Sequence, residues 1–172
     1  MRALVVYESM FGNTKKIAEE VAYGLMARIP TEVLEVGSAP AELPENVTLL
    51  VVGGPTHVMG MSRATTRKSA EDQAEDGILS RGEGIREWLA TLRAGAPAES
   101  PVAAAAFDTR IRGPFSGSAA KGAHKALRRH HLRLVSPPMD FHVTGTKGPL
   151  VAGEAERARE WGRSLAETLA TA

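Results

Sequence analysis

Three short, unbroken apolar runs constrain this chain more than anything else in it. Ala3–Tyr7 (ALVVY), Val47–Val52 (VTLLVV) and Pro101–Phe107 (PVAAAAF) are each of strand length and each bounded by polar or turn-forming residues. Runs without alternation are buried on both faces, which is the situation of a parallel sheet covered by helices. Between them lie stretches of helical period. From Thr14, residues Ile17, Ala18, Val21, Ala22, Leu25 and Met26 share one face. Ile85, Trp88, Leu89 and Leu92 do so within Gly84–Leu92, as do Ala119, Ala120, Ala123 and Leu127 within Ser116–His131. Ala158, Trp161, Leu165 and Leu169 do so within Glu154–Leu169, and both tryptophans are expected in the core. Thr31–Val36 alternates as a further strand. Leu132–Val135 begins another, which Pro137-Pro138 interrupts before Met139–Val143 resumes an extended pattern.

Strands and helices in alternation make an α/β sandwich with right-handed crossovers. At 172 residues the chain fits a single domain, residues 1–172. The connection 56–81 is long. Its polar middle, Ser62–Ala74, places Arg67/Glu71 and Lys68/Asp72 at i, i+4, which predicts a solvated helix. Arg63, Arg67 and Lys68 with Met59 and Met61 are an alternative cap over the site.

In such a sheet ligands sit beyond the carboxyl ends of the strands, at the switch point, so the loops after the first, third and fourth strands carry the information. The first, Ser9-Met10-Phe11-Gly12-Asn13-Thr14, turns a strand into a helix through a glycine. Backbone N–H groups and the helix dipole there converge on one point, as a phosphate requires. A simple helix cap by Asn13 accounts for the same residues, and this loop alone does not separate the two.

Composition narrows the chemistry. There are no cysteines, which removes disulfides, iron–sulfur clusters and thiol nucleophiles. The five histidines show no metal-ligand spacing, and no GxSxG elbow occurs. An acceptor Asp after the third strand, as a phospho-receiver needs, is replaced by Gly53-Gly54-Pro55-Thr56. Lys and Arg total 21 against 20 Asp and Glu, a net charge of +1 that gives no sign of a nucleic-acid partner. No apolar stretch reaches the length of a membrane span, and a cytoplasmic protein with no membrane partner is expected. The run Lys121–Arg133 (KGAHKALRRHHLR) is basic. It reads as a solvated helix face or as a docking face for an acidic redox partner.

The segment VVYESMFGNTKKIAEEVA resembles the phosphate loop of flavodoxins, roughly [Thr/Ser]-x-[Thr/Ser]-Gly-[Asn/Thr]-Thr. Two further loops fall in register with that family. Gly53-Gly54-Pro55-Thr56-His57 is similar to its first flavin-contacting loop, and Asp108-Thr109-Arg110 through Phe115-Ser116-Gly117-Ser118-Ala119 to its second. The resemblance covers essentially the whole chain and implies a three-layer sandwich with a five-stranded parallel sheet, strand order 2-1-3-4-5, and a non-covalent FMN. Ser9, Met10, Phe11, Gly12, Asn13 and Thr14 would hold its phosphate. Pro55, Thr56, His57, Asp108, Thr109, Arg110, Phe115, Ser116, Gly117 and Ser118 would line its ring.

The chain also departs from the family. Phe11 stands where the pattern has a second hydroxyl, and the stacking Trp and Tyr of many flavodoxins are absent. Aromatic stacking contributes about 0.5–1.5 kcal/mol beyond burial, so its loss weakens binding about tenfold. Electron-carrying flavodoxins are strongly acidic; at +1 a bound flavin is expected to be shifted less towards low potential. Three functions follow from the resemblance: an electron carrier between redox partner proteins, an FMN-dependent reductase of a quinone or porphyrinogen, or a scaffold that has lost flavin.

Overall fold

The computed structural model describes residues 1–95 and 100–172. Its parallel strands are β1 (Arg2–Tyr7), β2 (Thr31–Glu35), β3 (Val47–His57), β5 (Ala103–Ile111), β6 (Arg133–Leu134) and β7 (Met139–Val143). A two-residue strand, β4 (Gly60–Met61), folds back antiparallel on the end of β3. The order β2-β1-β3-β5-β6 is the expected 2-1-3-4-5. The fifth position is divided, β6 pairing with the start of β5 and β7 with its end. Ser136-Pro137-Pro138 falls at the division, because proline has no N–H to give the ladder.

Helices α1 (Asn13–Leu25) and α5 (Glu154–Ala170) cover one face of the sheet. Helices α3 (Ile85–Thr91) and α4 (Ala119–Arg129) cover the other, while α2 (Ala64–Gln73) lies in the long connection. Alternate residues of β1, β3 and β5 feed the two cores. Val5, Val51 and Ala105 face α1 and α5, whereas Val6, Val52 and Ala106 face α3 and α4. Trp88 and Trp161 are buried as expected. The rings of Phe107, Phe141 and Trp161 meet one another at 6.0–6.1 Å. Helices α1 and α5 approach to backbone contact: a Cβ on Gly24 would lie 2.1 Å from the Arg159 carbonyl oxygen, and one on Gly162 would lie 2.2 Å from that of Val21.

The sequence boundaries err in an instructive way at β3. The Gly53-Gly54-Pro55 stretch reads as the strand's end, yet the ladder with β5 continues through Gly53↔Phe107, Gly54↔Asp108 and Pro55↔Thr109. A Cβ on Gly53 would fall 1.9 Å from the Phe107 ring, so this glycine marks close packing, not a turn. The solvated helix over 62–74 needs a correction too. Lys68 pairs with Asp72 at 2.7 Å as expected, but Arg67 is buried and turns away from Glu71. Its guanidinium forks onto Glu87 at 2.8 and 3.3 Å and donates to Ser62 Oγ at 2.9 Å, fastening α2 to α3.

Candidate functional site

A crevice of about 350 Å³ opens above the carboxyl ends of β1, β3, β5 and β7. Of the residues singled out in the sequence, it brings together Ser9, Met10, Phe11, Asn13, Thr14, Pro55, Thr56, His57, Thr109 and Arg110. Gly12 lies within the same loop. Asp108, Phe115, Ser116, Gly117 and Ser118 do not line it.

The first loop is held by its own side chains. Ser9 Oγ accepts from the Gly12 N–H at 3.1 Å, and the Ser9 and Ser80 backbones and side chain interlock at 2.9 Å. Asn13 Nδ2 donates to the Lys147 carbonyl at 3.1 Å, and Thr14 Oγ1 meets Thr109 Oγ1 at 2.7 Å. The polar side chains expected to face a ligand therefore already have protein partners. The backbone amides are the reverse. Gly12 caps α1 with φ +96° and no side-chain bond, and the first amide to close the helix is Lys16 N–H onto Gly12 O. Among the described residues, the N–H groups of Phe11, Asn13, Thr14 and Lys15 have no acceptor. Orphan amides at a helix N-terminus beside a crevice form an anion site.

Beneath this loop Glu8 is buried. Its Oε1 accepts the Ile85 N–H at 2.8 Å and its Oε2 has no partner among the described residues. Burial pushes its carboxyl above the ordinary value, against the opposing pull of Ser62, the Ile85 amide and Arg67.

On the far wall, Asp108 sits inside β5 with its side chain turned from the crevice. One oxygen, Oδ2, accepts from Thr56 Oγ1 at 3.1 Å, Ser118 Oγ at 2.8 Å and the Ala120 N–H at 3.0 Å. Burial raises its carboxyl above the usual range, and those three bonds offset only part of the rise. Asp108 thus braces β3 against α4. Strand alternation explains the displacement, because Asp108 and Thr109 point to opposite faces.

Arg110 stands at the crevice rim. It donates to Ser116 Oγ at 3.2 Å, to the Gly117 carbonyl at 2.7 Å and to Asp140 Oδ2 at 3.1 Å. Burial pushes the Asp140 carboxyl up; the Arg110 bond and charge with His142 outweigh this and leave it below the usual range. His57 Nδ1 lies 3.1 Å from Thr66 Oγ1, whose own proton goes to the Arg63 carbonyl. Nδ1 is therefore the donor and Nε2 an acceptor. Burial and the charge of Arg67 lower its pKa, keeping the imidazole neutral at pH 7.

The remaining lining was missed in the sequence. Thr66, Ser69, Ala70 and Gln73 come from α2, and Val58, Ile111, Val143 and Thr146 from loop and strand ends. The Thr66/Ser69/Ala70/Gln73 spacing was a legible signal, an uncharged stripe at i, i+3, i+4, i+7 on a helix otherwise rich in charge. Val58 and Met59 form the tip of the β3–β4 hairpin with φ +42° and +76° and are 85% and 60% exposed. Gly60, a glycine of the kind that makes turns, is instead the first residue of β4. Phe115 is 83% exposed on the neighbouring loop. Among the described residues no group of His, Asp and Glu is arranged for a metal, and no helix is long and apolar enough to cross a membrane.

The sequence model of the flavodoxin family matches residues 5–95. Solved structures similar to this chain include a flavodoxin from the domain Archaea, with 18% identity, TM-score 0.66 and 99% of each chain covered. Another is flavodoxin 1 from Bacillus cereus, with 15% identity, TM-score 0.66 and 97% of this chain and 98% of that one covered. A flavodiiron core from Synechocystis matches at 15% identity and TM-score 0.63, covering 99% of this chain and 36% of that one. A search of curated proteins finds no match.

Proposed function

The chain belongs to the flavodoxin family, and from that premise we propose that it binds FMN in this crevice and carries electrons between redox partner proteins. The carrying observation is the cluster of unpaired amides at Phe11, Asn13, Thr14 and Lys15. It suits a phosphate monoester, and it does so through backbone, so the Phe11 substitution in the family pattern costs no amide donor. The crevice volume lies in the range that holds cofactors. Met10, Phe11, Val58, Ile111 and Val143 give it apolar walls, and Thr56, Thr109 and Arg110 give it a polar edge. FMN, once bound, supplies one- and two-electron redox chemistry. The chain's own part is to hold the phosphate, exclude water from the ring and leave its edge reachable.

The partner in this reading is acidic. Among the described residues Lys121, Lys125, Arg128 and Arg129 on α4 have no carboxylate within ion-pair distance. A reversal at Arg128→Glu with Arg129→Glu is expected to slow association with an acidic partner and flatten its salt dependence.

Titrating the purified protein with FMN under anaerobic conditions tests the central claim through quenching of flavin fluorescence. Binding at one equivalent supports it, and a flat titration leaves only the scaffold reading. A second reading, an FMN-dependent reductase, is favoured by α2, whose Thr66, Ser69 and Gln73 add a polar wall that a carrier does not need. Oxidation of NADH or NADPH by the FMN-loaded protein with a quinone acceptor would separate it from the carrier.

A further inference from the structure

The hairpin tip and the loop after β5 are joined by a bridge between Met59 and Gly117, with the Ser118 N–H donating to the Met59 carbonyl at 3.2 Å. Both bridge residues line a second cavity, of about 430 Å³, that shares Arg110 with the crevice. Its ionisable lining is wholly cationic: Arg86, Arg110, Lys121 and Lys125. In a chain of 21 cations and 20 anions this is segregation, since Arg2, Arg67 and Arg159 each have a carboxylate partner. Only Arg110 of the four has one among the described residues, Asp140 at 3.1 Å.

The cavity is also built. Arg86 is fixed by donating to the Met61 carbonyl at 2.7 Å and the Ser62 carbonyl at 3.2 Å, neither of which cancels its charge. Gly117, at φ +68°, permits the bridge, because a Cβ there would lie 2.2 Å from Met59 Cα. Lys121 and Lys125 lie one turn apart on α4 and reach the same space. Holding four cations together with a carboxylate on only one of them costs free energy, and a bound anion recovers it.

We propose that this cavity binds a phosphate-bearing nucleotide. The cations match phosphate, a fixed guanidinium offering a fork and the lysines mobile point charges. A lone inorganic ion would leave most of 430 Å³ unfilled, whereas Met59, Met61 and Pro114 offer an apolar wall to a base. The site goes beyond the electron-carrier reading: of its four cations only Arg110 also lines the crevice.

Calorimetric titration with ADP, on the FMN-free and the FMN-saturated protein, tests it. Binding at one equivalent in both forms, weakened by added salt, is expected. Lys121→Gln with Lys125→Gln should weaken it about tenfold or more, while Arg128→Gln with Arg129→Gln, the same charge loss on the same helix, should leave it within about twofold. Adenosine, which has the base without phosphate, should not bind measurably. Absence of ADP binding at low salt, equal losses in the two double variants, or competition between ADP and FMN would each overturn the proposal. The FMN titration of the same samples reports on the crevice separately, so a failure there is distinguishable.

Discussion

The two sides of the crevice are made in opposite ways. The β1–α1 loop has the side chains of Ser9, Asn13 and Thr14 tied down and the amides of Phe11, Asn13, Thr14 and Lys15 left bare, with Ser9 and Thr14 buried. The β3–β4 hairpin across from it ends in two apolar side chains in left-handed backbone, out in solvent. A type I′ hairpin favours Asn-Gly at its two central positions, and a β-branched residue at positive φ is an outlier. One side is preorganised for a ligand of fixed geometry; the other retains strain and exposed apolar surface, a pattern that clusters where function is exercised. With FMN bound as proposed, the contrast assigns affinity for its phosphate to the first loop and the response to what approaches its ring to the second.

The largest test of that contrast removes the brace under the hairpin side. Asp108→Ala leaves Thr56, Ser118 and the Ala120 amide without their acceptor. Stability to urea should fall by about 3–4 kcal/mol. A loss under 1 kcal/mol would show that β3 and α4 hold their places without Asp108. Next in size is Gly12→Ala. Its φ of +96° is strained for any Cβ, at about 1–3 kcal/mol, and relief by rotating the backbone would scatter the free amides. FMN affinity should drop at least tenfold, read by fluorescence titration, and unchanged affinity would place the phosphate elsewhere.

Glu8→Gln sharpens the comparison from below the first loop. Because the folded carboxyl titrates above its ordinary value of 4.5, the native state binds the proton more readily than the unfolded chain. That contribution is present at low pH and is lost as pH rises through the folded value. Glutamine removes it, so the variant should gain about 1–2 kcal/mol over the wild type at pH 7, with the advantage shrinking towards pH 4. Glu87, Asp140 and Glu154, held below their ordinary values, oppose this by losing their contribution on acidification. Equal stability of the two proteins across pH 4–7 would rule out the Glu8 account. The smallest effect belongs to the hairpin tip, where Met59→Gly should raise stability by about 1 kcal/mol. A destabilising outcome would mean that the Met59 side chain supplies packing its 60% exposure does not suggest.

The three apolar runs and their helical intervals made the parallel α/β class legible, while the strand order came with the family resemblance of the loops. The first loop was legible in position but not in mode. Asn13 and Thr14 looked like ligand donors, and their actual partners, Lys147 and Thr109, lie 134 and 95 residues away; Ser80, which holds the Ser9 backbone, lies 71 residues on. No local pattern encodes such pairings. Asp108 was placed one face wrong because β5 continues past Phe107, and a strand that outruns its apolar run looks like a loop. Arg67 was assigned to solvent because its i, i+4 carboxylate is visible in sequence, whereas Glu87 is brought to it only by folding.

The close crossing of Gly24 and Gly162 bears on how the protein is made. Helix α1, whose first turn carries the free amides, emerges early in synthesis, but the surface that fixes it is α5, which follows every strand. Until α5 docks, Ile17, Val21 and Leu25 lack the cover that Ala158, Trp161 and Leu165 give this core. The anion site, encoded within the first fifteen residues, is therefore completed last. Anion binding at those amides is then expected only late in synthesis, after every strand of the sheet has emerged.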